Sequence, residues 1–479
     1  MGFTQKVAVL DASQNLSTSP WTVSGLKGDQ FDYAFMAFCD SSAGTSTTHL
    51  DITFNSDSGA NYNNNQMRGT GTSTQQSDST SQNSIQVSQF QRNDSSRNSL
   101  AIGVIRGDSS QNRTLTMLHG TGQTRVVQTF DEWTNNVDEL TSLTFTGGVS
   151  ASYKWHIVVW EVPKANDDNW ELVNKLNWSA SATEQSITGL AGDTDLFYKL
   201  LWDGDGSVLD IELNNQTTGY TQQRVRNSGT AFVAGNTSPS AINQRGVGSV
   251  LINAETGDDR TAFSFGGDDG GSKQDIRAFW YSDTATELTS LYCTPTASTT
   301  AEAKLFRAKY PQSSIPDLFD LPFQKVDSFS VNTEDFTTGQ SFSSLDGDNV
   351  LLYRIEFKGF KDNFNINVRT NGDSGASDFA WQRLNGTGTT EAASSDTADT
   401  SLRFIRGGDT AEQAYGVMYI YPQSGEYRPC LSYQMCDENE IELTSGWRLD
   451  TVTEITSILL FSSATTTLNG TFTLSEIRL

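Results

Sequence analysis

Three short sequence markers recur three times in the same order along the 479 residues, and this repetition constrains the fold more than any other feature. The first marker combines a small polar residue, a Leu, a Gly-Asp pair and an apolar run that contains Tyr. It occurs at Ser24–Tyr33, Thr188–Tyr198 and Ser343–Tyr353. The second marker reads ELTSL or EITSI and occurs at Glu139–Leu143, Glu287–Leu291 and Glu454–Ile458.

The third marker lies between the other two. Phe54–Thr72 is closely matched by Thr370–Thr389 and faintly matched by Asn214–Thr230. Equivalent positions are about 150 to 165 residues apart, which is the size of a domain and several times the period of a solenoid or propeller repeat. The sequence therefore predicts internal triplication, with one core for each copy.

Proline and charge collect in two joints, Trp160–Trp170 and Lys309–Phe323. They place copy 1 at residues 1–163, a divergent copy 2 at 164–311 and copy 3 at 312–479. Short segments that contain proline are semi-rigid. We therefore expect the three copies to be held close together.

Short apolar or alternating runs, separated by Gly, Asn, Asp and Ser, indicate β-strands in every copy. They are at Phe31–Phe38, His49–Asn55, Ser152–Val162, Asp195–Trp202, Val208–Leu213, Val350–Phe357, Asn363–Val368, Gly416–Pro422 and Gly470–Ile477. A 3.6-residue period is rare, so little helix is expected. About eight strands per copy favour an all-β fold of three tandem antiparallel β-sandwich domains of the jelly-roll type, with a closed barrel as the alternative. The polar segments Gly69–Ser84 and Gly386–Ser401 are interpreted as long loops.

The charge balance excludes several classes of partner. The chain has 32 basic and 57 acidic side chains, a formal net charge of −25. A nucleic-acid binder or a protein attracted to an anionic membrane needs a basic face, which this balance does not favour. No run approaches the 18 or so apolar residues of a membrane-spanning helix. We therefore expect neither a nucleic-acid nor a membrane partner.

Histidine and cysteine give little support for chemistry. His49, His119 and His156 have no second His or Cys at ligand spacing, and they are interpreted as surface or satisfied core side chains. Cys430 and Cys436 are close enough in sequence to bridge if a turn joins them, but two small buried apolar residues are the preferred interpretation.

Carboxylates are abundant, and three acidic pairs could form calcium-binding loops: Asp203 with Asp205, Asp268 with Asp269, and Asp346 with Asp348. None continues into a twelve-residue calcium loop, and Asp-Gly is also typical of tight turns, so turns are preferred.

The D-S-G turn of the third marker holds Asp57 in copy 1 and Asp373 in copy 3, whereas Thr217 stands at that place in copy 2. A catalytic acid or metal ligand common to all copies is therefore not expected. Gly59, Gly219 and Gly375 are interpreted as turn residues with positive φ. Arg106-Gly107-Asp108 spells an adhesion tripeptide and is interpreted as a turn after a strand.

Some of these strings resemble a known family. The DSG and GTG turns of Phe54–Thr72 and Thr370–Thr389, the strand Ile455–Ile458 and the terminal Gly470–Ile477 are similar to a recurring β-sandwich domain. That domain occurs in structural proteins of tailed bacteriophages, many of them marine or environmental. The similarity covers copies 1 and 3 well and copy 2 poorly. It implies a virion component.

Together these features predict a non-enzymatic virion protein. The leading hypothesis is an exterior capsid decoration or minor capsid protein that acts as a covalent pseudo-trimer, with the major capsid protein or tail proteins as partners. The alternative is a tail or fibre protein that binds a host-surface glycan. A polysaccharide-degrading enzyme ranks third, because no acid pair is nominated. No catalytic, cofactor-binding or metal-binding residue is assigned, and no cofactor is expected.

Overall fold

The protein is seen in a computed structural model. It describes residues 5–40, 48–90, 98–107, 109, 112–121, 125–148, 153–164, 170–227, 232–237, 239, 241–256, 260–267, 274–309, 317–333, 335–361, 365–375, 378–406, 412–425, 427–436, 440–448, 453–465 and 467–479. The described chain is almost entirely antiparallel β-structure, so the predicted all-β sandwich class is confirmed. Its strands form three lobes.

Lobe 1 has two packed sheets, one of eight strands and one of four. Its strands are β1 (Gln5–Gln14), β2 (Trp21–Ser24), β3 (Phe31–Asp40), β4 (Thr48–Phe54), β5 (Tyr62–Thr70), β6 (Ser73–Gln82), β7 (Ile85–Phe90), β8 (Asn98–Arg106), β9 (Arg113–Thr121), β10 (Arg125–Trp133), β11 (Ser142–Gly147) and β12 (Tyr153–Pro163). The large sheet has the order β1-β12-β3-β8-β9-β10-β5-β6, and the small sheet has the order β2-β11-β4-β7.

Lobe 2 has ten strands that are hydrogen-bonded into one sheet. They are β13 (Trp170–Ser181), β14 (Gln185–Thr188), β15 (Phe197–Leu213), β16 (Tyr220–Asn227), β17 (Phe232–Thr237), β18 (Ile242–Asn253), β19 (Arg260–Gly267), β20 (Gln274–Tyr281), β21 (Ser290–Pro295) and β22 (Thr299–Ala308), with a four-residue helix α1 (Gly192–Asp195) before β15. The predicted strands Asp195–Trp202 and Val208–Leu213 are one strand here. Its ladder shifts between Asp203 and Val208, where a turn was predicted. The strand continues because its two halves pair with different neighbours.

Lobe 3 repeats the arrangement of lobe 1. Its strands are β23 (Gln324–Thr333), β24 (Gln340–Ser343), β25 (Val350–Lys361), β26 (Ile366–Thr370), β27 (Phe379–Thr387), β28 (Thr390–Asp399), β29 (Leu402–Ile405), β30 (Glu412–Ile420), β31 (Arg428–Cys436), β32 (Glu440–Arg448), β33 (Ser457–Ser462) and β34 (Leu468–Arg478), with a short 3₁₀ turn at Gly347–Asn349.

The eight-strand path has the same order in all three lobes. It is β13-β22-β15-β18-β19-β20-β16-β17 in lobe 2 and β23-β34-β25-β30-β31-β32-β27-β28 in lobe 3. The strands of each path fall within one of the predicted ranges 1–163, 164–311 and 312–479. The internal triplication and these boundaries stay predictions about how the chain arose and divides.

The interpretation of Gly69–Ser84 and Gly386–Ser401 as long loops is wrong. Both are hairpins, β5–β6 and β27–β28, whose strands pair from Thr70 with Ser73 and from Thr387 with Thr390. The two-residue turns begin at Gly71 (φ 58°) and Gly388 (φ 57°), as a tight hairpin requires. Ser and Thr have ordinary strand propensity, but a strand that is polar on both faces lacks the alternation used to recognise it.

Each large sheet ends on one side in a strand with a bulge at the same place. The ladders of β1, β13 and β23 shift across Val7, Val173 and Val326, and these side chains are 37%, 37% and 43% exposed. A bulge interrupts the row of unpaired backbone groups that another strand would need. All three outer edges are thereby protected from pairing with a second chain.

The large sheets are buried on both faces. One face packs on the small sheet of its own lobe, or on β14 and β21 in lobe 2, in a core such as that around Phe35, Phe145 and Trp155 in lobe 1. The other face packs on the other two lobes in one common core that includes Met67, Val225 and Leu384 from equivalent strands. The lobes therefore form one packed body in addition to having a core each.

Candidate functional site

The first and second sequence markers contact each other at one end of every lobe. The N–H groups of Gly28, Gly192 and Gly347 donate to the carbonyl oxygens of Leu140, Leu288 and Ile455 at 3.0, 3.1 and 3.2 Å. A Cβ on these glycines would lie only 2.5, 2.8 and 3.1 Å from the Cβ of the same Leu or Ile. The glycine is therefore needed for close approach of two backbone segments.

An asparagine at the start of the third marker fixes the second marker from the other side. Asn55, Asn214 and Asn371 have φ values of 53°, 51° and 54°. In each lobe the side-chain amide donates to the marker's Glu carbonyl, and Oδ1 accepts the N–H groups of the following Thr and Ser. The repeated Glu-Leu/Ile-Thr-Ser is thus a backbone-binding motif, and its recurrence reflects structure.

The expectation that Gly59, Gly219 and Gly375 all have positive φ is wrong for two of them. Only Gly219 does (φ 88°). In all three lobes the left-handed conformation already falls on the asparagine and the residue after it, so the later glycine of lobes 1 and 3 does not have to supply it. The equivalent of Asp57 and Asp373 in lobe 2 is Gln216, one residue before Thr217. All three backbone N–H groups bond the carbonyl three residues earlier, at 2.8, 3.1 and 3.1 Å.

The D-S-G aspartates have different partners. Asp57 accepts hydrogen bonds from Gly59 N, Asn61 Nδ2 and Trp133 Nε1, all at 2.8 Å. Although partial burial opposes its charge, these bonds lower the pKa of Asp57. Asp373 forms an ion pair with Arg448. Neither arrangement leaves a carboxylate directed at a cleft, so both act on local structure.

The Asp of the Gly-Asp pair holds a neighbouring loop in all three lobes. Asp29 accepts from the N and Oγ of Ser109 at 2.7 and 2.8 Å, and Asp348 accepts from the same atoms of Ser424 at the same distances. Asp193 accepts from Thr256 N at 2.9 Å. Asp348 of the third predicted calcium pair therefore has a structural role. Asp268 and Asp269 lie outside the described residues, and no group of three potential ligands occurs within the described ranges.

Sequence reasoning missed a buried arginine at the start of β9, β19 and β31. Arg113, Arg260 and Arg428 are 0%, 1% and 1% exposed. Each guanidinium donates to backbone carbonyls of the loop that precedes the second marker, for example Arg113 to Asn135 O at 2.6 Å and Arg428 to Thr453 O. The signal was an Arg followed by an apolar run at the same place in each copy.

At the centre, a ring of amide contacts joins the lobes. Asn65, Gln223 and Gln382 occupy equivalent positions on β5, β16 and β27, opposite Phe130, Ala278 and Ser445. Gln223 Nε2 donates to Gly388 O at 3.1 Å, Gln382 Nε2 donates to Gly71 O at 3.0 Å, and Asn65 Oδ1 accepts from Asn227 Nδ2 at 2.8 Å. Each lobe is thereby bonded to the next one around the ring.

The end of the second joint, from Asp317 to Leu321, packs inside the common core, and we call this segment the plug. Leu318, Phe319 and Leu321 are at most 2% exposed. Asp320 contacts Arg106 of lobe 1 at 2.7 Å and Lys199 of lobe 2 at 2.5 Å, while Asp317 accepts from Tyr419 of lobe 3 at 2.9 Å. The lobes are therefore held close together by direct bonds from one segment to all three of them, and not only by the stiffness of the joint.

Burial and charge act against each other at this plug. Burial alone would raise the pKa of Asp320, but the positive charges of Lys199 and Arg106 hold this pKa below its ordinary value. For Asp317, burial outweighs the charge of Arg354, which lies 3.7 Å away, and the pKa is raised. Lys199 and Arg354 each follow the Tyr of the first marker inside an apolar strand. A charged residue at such a position was the sequence signal that could have identified them.

A polar cleft lies between lobes 1 and 2, lined by Asp32, Arg106, Lys164, Glu302 and Lys304 among others. Burial raises the pKa of Asp32 despite the ammonium of Lys164 at 3.8 Å. Glu302 forms an ion pair with Lys304 at 2.6 Å. Asp32 and Glu302 of this cleft therefore each lie beside an ammonium group.

The other singled-out residues are structural as well, with one exception. His49 Nε2 lies 3.1 Å from a carboxylate oxygen of Asp51, and this contact raises the pKa of His49. His156 Nδ1 lies 3.3 Å from Tyr421 Oη. His119 is 2% exposed, but its Nε2 has no hydrogen-bond partner, so it is not a satisfied core histidine.

The cysteine pair and the adhesion tripeptide also have structural settings. Cys430 and Cys436 lie six residues apart on β31, a separation of about 20 Å, so they cannot bridge. Both are buried, as the preferred interpretation held. Arg106 of the tripeptide forms an ion pair with Asp320, and Asp108 lies outside the described residues.

Asp131 on β10 gives a pH-dependent prediction. It is fully buried, Oδ1 accepts from Asn65 N at 3.0 Å, and burial raises its pKa to about 8. Between about pH 4 and pH 8 the folded chain keeps a proton that the unfolded chain releases, so this group lowers stability by about 1.4 kcal/mol for each unit of rising pH. We expect Asp131→Asn to remove that slope.

Urea unfolding at pH 5, 6 and 7 measures the slope. Parallel plots of the free energy of unfolding against pH for the variant and the wild type would contradict the prediction. Asp327→Asn, at an exposed site, is the control.

Comparison with known proteins does not identify the chain. No family model and no curated protein matches it. Aligned solved structures include the LG1–3 region of the laminin α2 chain, with 8% identity over 99% of this chain and 96% of that chain and a TM-score of 0.16. A β-fructofuranosidase from Schwanniomyces occidentalis complexed with fructosyl-erythritol has 9% identity, coverage of 80% and 79%, and a TM-score of 0.16. OpdQ from Pseudomonas aeruginosa has 10% identity, coverage of 90% and 98%, and a TM-score of 0.12. Scores of this size carry no argument about function.

The part of the chain that the structure describes contains no helix of the length and apolarity needed to cross a membrane.

Proposed function

We propose that the chain is a non-enzymatic structural component of a tailed bacteriophage virion, an exterior capsid decoration or minor capsid protein that acts as a covalent pseudo-trimer. The observation that carries the proposal is the common core, in which three large sheets of identical strand order pack on one another and on the joint plug. Such a body presents three similar outer surfaces in a fixed relation to one another.

Fixed geometry is what a threefold or quasi-threefold site on a lattice would select. Three weak contacts reinforce one another when they are held together, because the second and third form at high effective concentration. The amide ring and the plug remove the ordering cost that flexible tethers would impose. The virion setting itself rests on the resemblance of the DSG and GTG strings.

The charge and the use of titratable groups support the same proposal. A net charge of −25 suits an outer surface better than one that faces packaged nucleic acid. The buried ion pairs of Asp320 connect the second joint to lobe 1 through Arg106 and to lobe 2 through Lys199, so they serve assembly of the chain. This favours a structural protein over the third hypothesis, a polysaccharide-degrading enzyme.

Reconstruction of virions that carry this chain tests the proposal. We expect three-lobed density on the outside of the head at threefold or quasi-threefold positions, and about one chain for every three capsid subunits at an occupied site. Density at the tail tip alone, together with saturable binding of the purified chain to a host-surface glycan, would overturn it in favour of a tail or fibre protein. Glycan hydrolysis by the purified chain would overturn it in favour of an enzyme.

A further inference from the structure

Lobe 1 contains two half-buried arginines that no group of the described residues neutralises. Arg68 on β5 and Arg125 on β10 make no hydrogen bond or ion pair with any residue of the described ranges, and the Nε atom of each is buried. The Nε2 atom of His119 on β9 is likewise buried and unpartnered. Buried polar groups are nearly always satisfied in folded proteins, so two arginines without an ion pair, together with this histidine, require an explanation.

The ladder places these side chains on one face of the large sheet. Val127 pairs with Arg68 on one side and with His119 on the other, and Arg125 precedes Val127 by two residues. Directly opposed residues and residues two apart point to the same face of a sheet. This face also carries Met117 and Trp133 of the lobe 1 core, so the cluster is on the small-sheet side. We call Arg68, His119 and Arg125 the lobe 1 cation cluster.

Burial and like charge both act on the cluster. Burial, with Arg68 as a neighbour, lowers the pKa of Arg125 to about 10. Burial, together with the charges of Arg125 and Arg68, lowers the pKa of His119 to about 3. The imidazole is therefore neutral at ordinary pH and has one N–H to donate. The two guanidinium groups stay charged and repel each other in a chain that is acidic overall.

Lobe 3 shows which group fits at this place. Glu442 stands at the position of Val127, paired in the ladder with Asn385 and Gln434, and Glu440 stands at the position of Arg125. Glu442 contacts Arg383 at 3.4 Å, and Glu440 contacts Arg406 at 2.5 Å. The same face thus carries its own carboxylates in lobe 3, whereas lobe 1 has an apolar and a basic side chain at these two positions.

We propose that the lobe 1 cation cluster binds a carboxylate ligand, in the place that the Glu440 and Glu442 side chains occupy in lobe 3. Guanidinium groups bind carboxylates through paired, charge-assisted hydrogen bonds, and His119 can donate a third. The ligand is either a free small carboxylate or the carboxylate of an acidic sugar. The proposal does not depend on the proposed virion function.

Titration of the full chain with sodium acetate and with sodium glucuronate tests the proposal, with sodium chloride used to keep the ionic strength constant. We expect saturable binding by calorimetry and a matching rise in the thermal midpoint. Binding should weaken at least tenfold in Arg125→Glu, because one charge-assisted contact becomes a repulsion. Arg478→Gln, which changes an arginine with a 66% exposed side chain, is the matched control and should bind like the wild type.

A second variant keeps the test decisive if Arg125→Glu does not fold. Val127→Glu supplies the carboxylate that lobe 3 has at this position, so we expect it to unfold no earlier than the wild type and to lose the response to both ligands. Stronger binding of glucuronate than acetate would assign an acidic sugar, and equal binding would assign the carboxylate alone. The proposal is overturned if the wild type shows no saturable binding, or if Val127→Glu binds as the wild type does.

Discussion

Arg260→Met is expected to lower the free energy of unfolding by about 3–5 kcal/mol. The guanidinium is 1% exposed and donates to three carbonyl oxygens, those of Ala254, Asp283 and Thr286. Met has a similar length and is apolar, so it fills the space but leaves those acceptors without their donor. Hydrogen bonds to charged groups contribute about 1.5–3 kcal/mol each, and the relief of burying a charge offsets part of the loss.

The shift of the urea midpoint, followed by tryptophan fluorescence, measures this effect. Arg307→Met is the matched control, because that arginine has a 43% exposed side chain and pairs with Glu171 at 3.0 Å. An exposed ion pair contributes at most about 1 kcal/mol, so the control should shift little. Arg260→Lys should resemble Met, since one ammonium cannot reach three separated carbonyls. Equal shifts for Arg260→Met and Arg307→Met would show that the loop does not depend on the buried guanidinium.

The fold class could be predicted from the sequence because apolar runs of this chain coincide with β-strands of the structure. Runs such as Phe31–Phe38 and Val350–Phe357 lie within single strands, since both of their faces are buried. The polar strands β6 and β28 were missed because they lie at a sheet edge and need no apolar face. Their hairpin turns were visible in Gly71 and Gly388, but turn residues alone do not distinguish a hairpin from a loop.

The packing of the lobes on one another was less predictable. A strand buried on both faces has the same sequence pattern whether its second face meets a helix, a sheet or another lobe, so the runs could not reveal a common core. The charged residues were more informative than the apolar ones. Lys199 and Arg354 interrupt apolar strands at equivalent positions, and an internal charge in such a run implies a buried partner. For Lys199 that partner is Asp320 of the second joint, whereas Arg354 pairs with Glu356 of its own strand at 2.5 Å and lies 3.7 Å from Asp317 of the joint. The prolines and charges of the joint indicate only a connection.

Asp320→Ala is expected to cost about 3–5 kcal/mol, because it leaves two buried cations without their carboxylate. Arg106 and Lys199 contact Asp320 at 2.7 and 2.5 Å, and all three side chains are at most 11% exposed. Among the described residues, Arg106 then keeps its bond to Leu318 O at 3.2 Å. The loss should be larger than for an ordinary buried hydrogen bond, since the two cations also repel each other once the anion between them is gone.

A double-mutant cycle separates this charge effect from a general weakening of the plug. In a Lys199→Met background, Asp320→Ala removes the partner of one cation instead of two, so its cost in urea unfolding should fall by about 1–3 kcal/mol. Asp327→Ala, at an exposed strand position, controls for loss of an aspartate as such. Additive effects of the two substitutions would mean that Asp320 and Lys199 are not coupled, and that the plug contributes through apolar packing around Phe319. Coupling would instead show that the carboxylate of the joint holds lobe 2 through Lys199, in addition to its contact with Arg106 of lobe 1.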